Sequence, residues 1–260
     1  MQESYSNKNP NHSKHEIFSK LQIPPTTPFF ARLDGRRFKA VSGKIGAEKP
    51  FDKRFTKCLV RSARAVYRGG FNPALIYVAS DELNVLFLHT APFRRRVEKI
   101  NSTLAGIASS AFSLGIPKNF GKNVITAFDS RIIVSSSEKI MKYLGWRQRD
   151  AWRNHNNAYA YWLFRKMGHA PSKAAKMLKG LKSKDLHEIL FRHGINLAKT
   201  PQWQRRGILV YREPYQKQIG NRAVTRRRIE ENWELPLFSS EKGQTLIQKI
   251  LEWAKPEKGR

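Results

Sequence analysis

The order in which two hydrophobic periods alternate over residues 29–134 constrains the fold more than any other feature of the sequence. Phe29-Phe30-Ala31-Arg32-Leu33 reads as a strand that stops at Asp34-Gly35, where glycine after aspartate favours a sharp turn. Asp52 is placed to cap a helix over about 53–68, in which Phe55, Leu59, Ala63 and Val66 recur at three- and four-residue spacing. Lys53, Arg54, Lys57, Arg61 and Arg64 lie off that apolar stripe, and Gly69-Gly70 ends the helix. Residues 75–78 and 84–88 form two further strands separated by Ser80-Asp81-Glu82. A long helix is expected over 93–114, with Phe93, Val97, Ile100, Leu104 and Ile107 on one face. Residues 124–128 and 132–134 supply one more strand pair or one bulged strand. The order strand–helix–strand–strand–helix–strand predicts an α+β fold, a ferredoxin-type antiparallel sheet with helices on one face.

Beyond residue 137 the pattern turns helical, over about 138–144, 148–167, 172–179 and 184–193, with Gly168, Gly180 and Gly194 as stops. Residues 207–213 and 222–231 read as a basic β-hairpin, followed by a short helix near 244–253. The expected organisation is a disordered basic tail over 1–14, a core over 15–136, and a helical and hairpin region over 137–260 that packs on the core.

Charge narrows the function. The chain carries 49 Lys and Arg against 20 Asp and Glu, a formal net charge of +29. Such an excess repels itself unless an anionic partner compensates it, and nucleic acid is favoured over an anionic membrane surface. No apolar run approaches the roughly 18–20 residues a membrane span requires, and the polar N-terminus resembles no signal peptide. One cysteine, Cys58, excludes an intramolecular disulfide framework and suits a reducing, cytoplasmic setting. The seven histidines and Cys58 have no zinc-ligand spacing.

In so basic a chain, acids that end strands stand out. Asp34 closes one strand, and Asp81 and Glu82 follow another. If those strands are neighbours, Asp34 and Asp81 face each other at one end of the sheet. Two carboxylates so held repel, and a divalent cation resolves the repulsion, with the Gly35 backbone oxygen as a further ligand. Taken singly, each motif reads better as an ordinary turn; only their joint placement after apolar strands, in a basic chain, brings the metal reading level with it. Phosphate-binding candidates surround them: Arg36, Arg37 and Lys39 after the first acid, Lys49 before Pro50, and Arg94, Arg95, Arg96 and Lys99 at the start of the long helix. Cations at a helix N-terminus oppose its dipole, which favours an anion nearby.

At these residues the sequence resembles the tRNA(His) guanylyltransferase family, the reverse (3′–5′) nucleotide polymerases, over roughly 29–235. The resemblance rests on an ordered set: Arg32-Leu33-Asp34-Gly35-Arg36-Arg37-Phe38, Lys49-Pro50-Phe51-Asp52-Lys53-Arg54-Phe55, Ser80-Asp81-Glu82, Arg95-Arg96 with Lys99-Ile100 and Ser102, Phe128-Asp129-Ser130-Arg131, Trp146-Arg147-Gln148, and Glu188-Ile189-Leu190-Phe191 with Gly194-Ile195-Asn196. It implies a palm-like core and two Mg²⁺ held by Asp34, the Gly35 carbonyl and Asp81, with catalytic roles for Asp34, Asp81 and Glu82. It further implies ATP and GTP or other nucleoside triphosphates as substrates, bound by Gly35, Arg36, Arg37, Phe38, Lys39, Lys49, Ser80, Arg96 and Lys99. The implied partner is tRNA, and the implied assembly is a homo-oligomer, a dimer of dimers. Arg37 and Lys39 replace the glycine and histidine of the eukaryotic motif, Trp152 stands where a histidine is expected, and Leu186 where a lysine is. These departures are similar to the archaeal and bacterial guanylyltransferase-like branch, which implies template-dependent repair of 5′-truncated tRNA. The alternatives are a strict enzyme adding one guanosine to tRNA(His), or a silent RNA-binding protein.

Asn154 and Asn157, Arg205 and Arg206, and Arg226, Arg227 and Arg228 are the candidate RNA contacts, positioning the backbone without reading sequence. Trp146, Trp152, Tyr159 and Trp162 read as helix packing, and His155, His187 and His193 as structural or solvated.

Overall fold

A computed structural model describes residues 15–88, 90–220 and 222–255 of the chain, so the tail expected over 1–14 lies outside the described residues. In chain order the elements are β1 (Phe29–Gly35), α1 (Phe38–Lys44), α2 (Lys53–Arg68), β2 (Leu75–Ala79), β3 (Glu82–Phe87), α3 (Val97–Ser113), α4 (Ile116–Phe120) and β4 (Phe128–Val134). There follow α5 (Ser137–Lys166), α6 (Pro171–Leu178), α7 (Ser183–Arg192), α8 (Gln202–Arg206), β5 (Ile208–Ile219), β6 (Arg222–Asn232) and α9 (Glu241–Trp253). The strands form one six-stranded sheet, in the order β4-β1-β3-β2-β5-β6, with every pairing antiparallel. Its first four strands have the predicted ferredoxin-type order.

Both faces of the sheet are buried, which is why β1 reads as a run of apolar residues rather than an alternation. On one face Phe29, Leu33, Val85 and Phe87 pack against Leu59, Ala63 and Val66 of α2 and Ile100, Leu104 and Phe112 of α3. Asp52 caps α2 as expected, its carboxylate accepting from the Arg54 amide at 2.8 Å. On the other face Phe30, Tyr77 and Leu86 pack against Ile140 and Leu144 of α5 and Ile247 and Ile250 of α9. The two core helices thus lie on one face as predicted, and the later helical region covers the other.

The basic hairpin proves to be part of the sheet. Residues 208–211 of β5 pair with β2, which would otherwise leave the apolar run 75–78 on an open edge. The pairing spans more than 130 positions, so no local pattern announces it. Its outer half, from Glu213 to Arg228, projects as an exposed two-stranded ribbon.

Three local expectations are corrected. The helices expected over 138–144 and 148–167 are a single helix of 30 residues. Gly145 does not break it because Gln148, three residues on, is held from both ends. Its amide nitrogen donates to the Arg206 and Pro236 carbonyls and its oxygen accepts from the Phe238 amide. The strand pair over 124–134 is the single strand β4. The helix expected from 93 begins at Val97, because Phe93, Arg94 and Arg95 all adopt positive φ, at 54°, 52° and 66°. The Arg95 guanidinium donates to the Ile23 and Thr27 carbonyls and lies over the Phe29 ring, which fixes that conformation.

Candidate active site

Register brings the strand-terminal acids together. Asp34 of β1 lies directly opposite Glu82 of β3 on one side and Asp129 of β4 on the other. Directly opposed residues of antiparallel strands share a face, so three carboxylates form a row across the sheet. Two residues back along the strands, Arg131, Arg32 and Asn84 form a parallel row on the same face.

Asp81 sits in the two-residue turn that joins β2 to β3. Ser80 precedes it at φ 57°, a conformation that glycine usually supplies and that costs serine about 1 kcal/mol. The Gly35 amide donates to the Asp81 carbonyl at 3.1 Å and ties the turn to the end of β1. Burial, and then the Asp34 carboxylate, hold Asp81 above the usual carboxylate range. That electrostatic coupling places the two acids within interaction range, as their strand order suggested.

Glu82, directly opposite Asp34, is also tied to the long helix α5. Its carboxylate accepts from Arg147 of α5 at 2.6 Å, and the same guanidinium reaches Asp150 at 3.1 Å. Burial raises Glu82 above the usual range even with Arg147 beside it. Its carboxylate is engaged by the helix, so its observed contact is a positioning one. Among the described residues no three His, Cys, Asp or Glu side chains form a metal cage. A cation here would take two carboxylates, a backbone carbonyl, water and substrate phosphate, the hard oxygen set that suits Mg²⁺. Two carboxylates that repel each other form a donor set chemically suited to such a charge.

The segment after Asp34 divides into a buried anchor and an exposed rim. Phe38 is 3% exposed and packs against Phe55, Phe112 and Phe128, so its ring anchors the segment from within the core. A Cβ on Gly35 would lie 2.4 Å from that ring, which is the packing reason for glycine there. Arg36, Arg37 and Lys39 are exposed on the rim, with Arg37 at φ 55° where α1 begins. The Lys39 ammonium lies over the Tyr161 ring of α5, and Lys49 donates to Ser42 at 2.5 Å and lies over the Trp162 ring. Burial, opposed by Asp52 and reinforced by Lys39, lowers Lys49 below its usual range. Two lysines of this segment therefore meet two aromatic rings of α5.

Other candidates are more dispersed. The Arg96 backbone bridges to Gln22, and the Lys99 ammonium lies over the Phe93 ring. Asn154 is exposed and Asn157 half-buried on α5. Arg206 donates to the Leu235 carbonyl, while its own carbonyl accepts from Tyr77 and Gln148, which makes it a staple between α8 and the sheet. Arg205 is half-buried, and desolvation lowers it. Arg226 and Arg227 are exposed on the ribbon, whereas Arg228 is taken up by Glu213 and Glu230 at 2.9 and 2.6 Å.

Sequence reasoning gave no role to Arg32, Asp129, Arg131 and Arg147. The first three follow from strand alternation once the register is known; a buried arginine on a helix gives no local signal. The two unexpected residues have plain structural explanations. Leu186 is 3% exposed in a third apolar cluster with Ala160, Leu163 and Leu190. Trp152 stacks on His155 at 5.3 Å.

His155 is fully buried, bonded to Asn156 and Thr200 and faced by Phe51, Tyr159, His187 and Arg205. Burial first, opposed by Asn156, lowers its pKa from 6.5 to about 4. The folded state therefore holds it neutral, and the unfolded state binds the proton more readily. Stability from this group is complete above pH 6.5 and falls by about 3 kcal/mol as pH drops toward 4. Melting temperatures measured from pH 7.5 to 4.5 should fall more steeply for the native chain than for His155→Gln. Parallel curves would show that His155 does not carry the acid sensitivity.

Comparison with known proteins bears on this geometry. The model of the family described as tRNAHis guanylyltransferase matches residues 11–136, and that of the Thg1 C terminal domain matches residues 138–249. The tRNA(His) guanylyltransferase of Schizosaccharomyces pombe is 32% identical over 199 residues, which are 74% of this chain and 76% of that protein. The Neurospora crassa tRNA(His) guanylyltransferase is 31% identical over 232 residues, 84% of this chain and 79% of that protein. A bacterial tRNA(His) guanylyltransferase-like protein in complex with ATP shares the fold at a TM-score of 0.74 and 24% identity, covering 92% of this chain and 96% of that one. The Saccharomyces cerevisiae tRNA(His) guanylyltransferase structure has a TM-score of 0.66 at 28% identity, covering 73% of this chain and 87% of that one.

Proposed function

The chain belongs to the tRNA(His) guanylyltransferase family of nucleotidyltransferases, and from that premise we propose that it adds nucleotides to tRNA 5′ ends in the 3′–5′ direction, repairing truncated ends against the opposite strand. The observation that carries this reading is the juxtaposition of Asp34 and Asp81 at the end of β1, in a chain otherwise dominated by cations. Asp34, Asp81 and the Gly35 carbonyl would hold two Mg²⁺. Bound there, such ions would lower the pKa of an attacking hydroxyl and stabilise the leaving phosphate oxygen.

The remaining roles belong to the chain. Arg36, Arg37 and Lys39 on the exposed rim hold and orient the triphosphate, with Lys49 behind them. Burial of Phe38 keeps that rim in place against the end of β1. In the activation step the RNA 5′-phosphate oxygen bonds to the α-phosphorus of ATP and pyrophosphate leaves. In the transfer step the 3′-hydroxyl of the incoming nucleotide bonds to the RNA 5′-phosphorus, AMP leaves, and the hydroxyl proton passes to solvent. A bacterial relative of this fold binds ATP and another structure of that kind binds GTP, which supports both nucleotides as substrates. The division of the chain into a core over 15–136 and an RNA-binding region over 137–260 belongs to the same proposal.

A second reading is addition of a single guanosine to tRNA(His), favoured by the names of the eukaryotic relatives. Incubation of the purified chain with Mg²⁺, all four triphosphates, intact tRNA(His) and a 5′-truncated tRNA distinguishes the two. The expected result is extension of the truncated end by whichever nucleotide pairs with the opposite strand. Addition of guanosine alone, to tRNA(His) alone, would replace the first reading with the second. No incorporation into either RNA would sink both.

A further inference from the structure

One surface feature is left unused by this chemistry. The outward face of α2 carries Lys53, Lys57, Arg61, Arg64 and Arg68. Spaced by four, four, three and four residues, they fall within about 80° of the helix circumference and along roughly 22 Å of its axis. All are exposed except Arg64, which is half-buried. They line a groove of about 600 Å³ closed on its far side by Trp233. The groove has one carboxylate, Glu231. It accepts from Arg64 at 2.8 Å and from the Trp233 indole at 3.0 Å, which orients the ring toward Lys53 at 5.8 Å.

We propose that this α2 groove is a docking site for an RNA phosphodiester backbone, on a helix packed against the sheet face opposite the row of carboxylates. The inference rests on the reading of tRNA as substrate and names a surface for it. Charge complementarity selects the occupant. Five cations against one carboxylate call for a polyanion, which a second copy of this chain, with 20 acids against 49 bases, is poorly composed to supply. A row of separated cations along a groove fits a linear array of phosphates, and an indole at its edge gives a sugar or unstacked base a platform. Topology supplies the direction: β1 and β2 both run toward the Asp34–Asp81 end of the sheet, so α2 between them runs away from it. An RNA whose 5′ end lies at the carboxylates can continue its backbone from Lys53 toward Arg68. Such contacts position the RNA and read no sequence.

The test is binding of fluorescently labelled tRNA, without nucleotides and in EDTA, between 50 and 200 mM salt. It therefore reads out independently of catalysis. The variant Lys53→Gln/Lys57→Gln/Arg68→Gln changes exposed side chains and leaves the Arg64–Glu231 pair intact. It should weaken binding about tenfold near 100 mM salt and reduce the slope of log K against log salt by about 2. The control Lys242→Gln/Lys249→Gln/Lys255→Gln removes the same charge from and just beyond α9, on the other face, and should change affinity less than twofold. Nucleotide addition by the groove variant should keep its rate at saturating tRNA and show a raised KM for tRNA. An equal loss in both variants would reduce the groove to net charge and overturn the proposal, as would no loss in either. Loss of binding to phosphatidylserine vesicles with unchanged tRNA binding would assign the groove to a membrane surface. If the native chain binds tRNA but extends none, the reading of the active site fails and the groove stands.

Discussion

Asp81→Asn should slow nucleotide addition about 10³-fold or more while leaving tRNA affinity within a factor of about two. The side chain keeps its shape, so the turn after Ser80 and its bond to the Gly35 amide are undisturbed. What disappears is the negative charge that, with Asp34, makes the end of β1 attractive to a divalent cation. The same change should not destabilise the metal-free protein. Burial and Asp34 raise Asp81 above its ordinary range, so its ionised form costs folding energy at every pH above about 4, and an amide removes that cost. A melting temperature equal to or above that of the native chain in EDTA, together with lost activity, is therefore the expected pair of results. Asp129→Asn is the contrast: Asp129 is exposed and bound to Arg131 at 2.7 Å, and its loss should cost less than tenfold. Normal extension by Asp81→Asn, or equal damage from both variants, would remove the metal assignment.

Arg147→Ala should lower stability by about 3–5 kcal/mol, or the melting temperature by roughly 10 °C. Arg147 is 8% exposed and bridges Glu82 of β3 to Asp150 of its own helix. Its removal leaves the poorly solvated Glu82 carboxylate without its cation, across the sheet from Asp34, while Asp150 keeps Arg153. Glu82, held high by burial, then takes up a proton more readily, so the variant should lose less at pH 5 than at pH 8. Glu82→Gln/Arg147→Ala should recover part of the loss, because the uncompensated charge goes with its partner. Thermal melts of the two variants at both pH values test this; a loss below about 1 kcal/mol for Arg147→Ala would show that the bridge does not join helix to sheet.

Much of the core was legible before any coordinates. The apolar runs over 29–33, 75–78 and 84–88 and the periodic stretch over 53–68 are locally encoded, because burial of one strand or one helical face leaves its period in the chain. The acids Asp34 and Asp81 were legible for a second reason: ionised side chains at the ends of buried strands, in a chain of +29, demand a compensating charge. Where local pattern misled, a distant partner had overruled it. Arg95 starts no helix because the Ile23 and Thr27 carbonyls hold its guanidinium. Gly145 breaks no helix because Gln148 is bonded to chain far along the sequence. Arg228 reads as a free phosphate ligand until Glu213 is seen opposite it across the ribbon.

The sequence by itself therefore determined the ferredoxin-type order of elements, the excess of cations and the two acids that interrupt it. Only the tertiary structure decided that β5 closes the edge of β2, that Phe38 anchors its segment from within the core, that Arg147 claims Glu82, and that five cations of α2 share a groove with Trp233. The physical reason is range. Period and capping act over a few residues and are written locally. Register, ion pairing and groove formation join residues tens to more than a hundred positions apart, and they acquire an energy only when the fold has already brought those residues into contact.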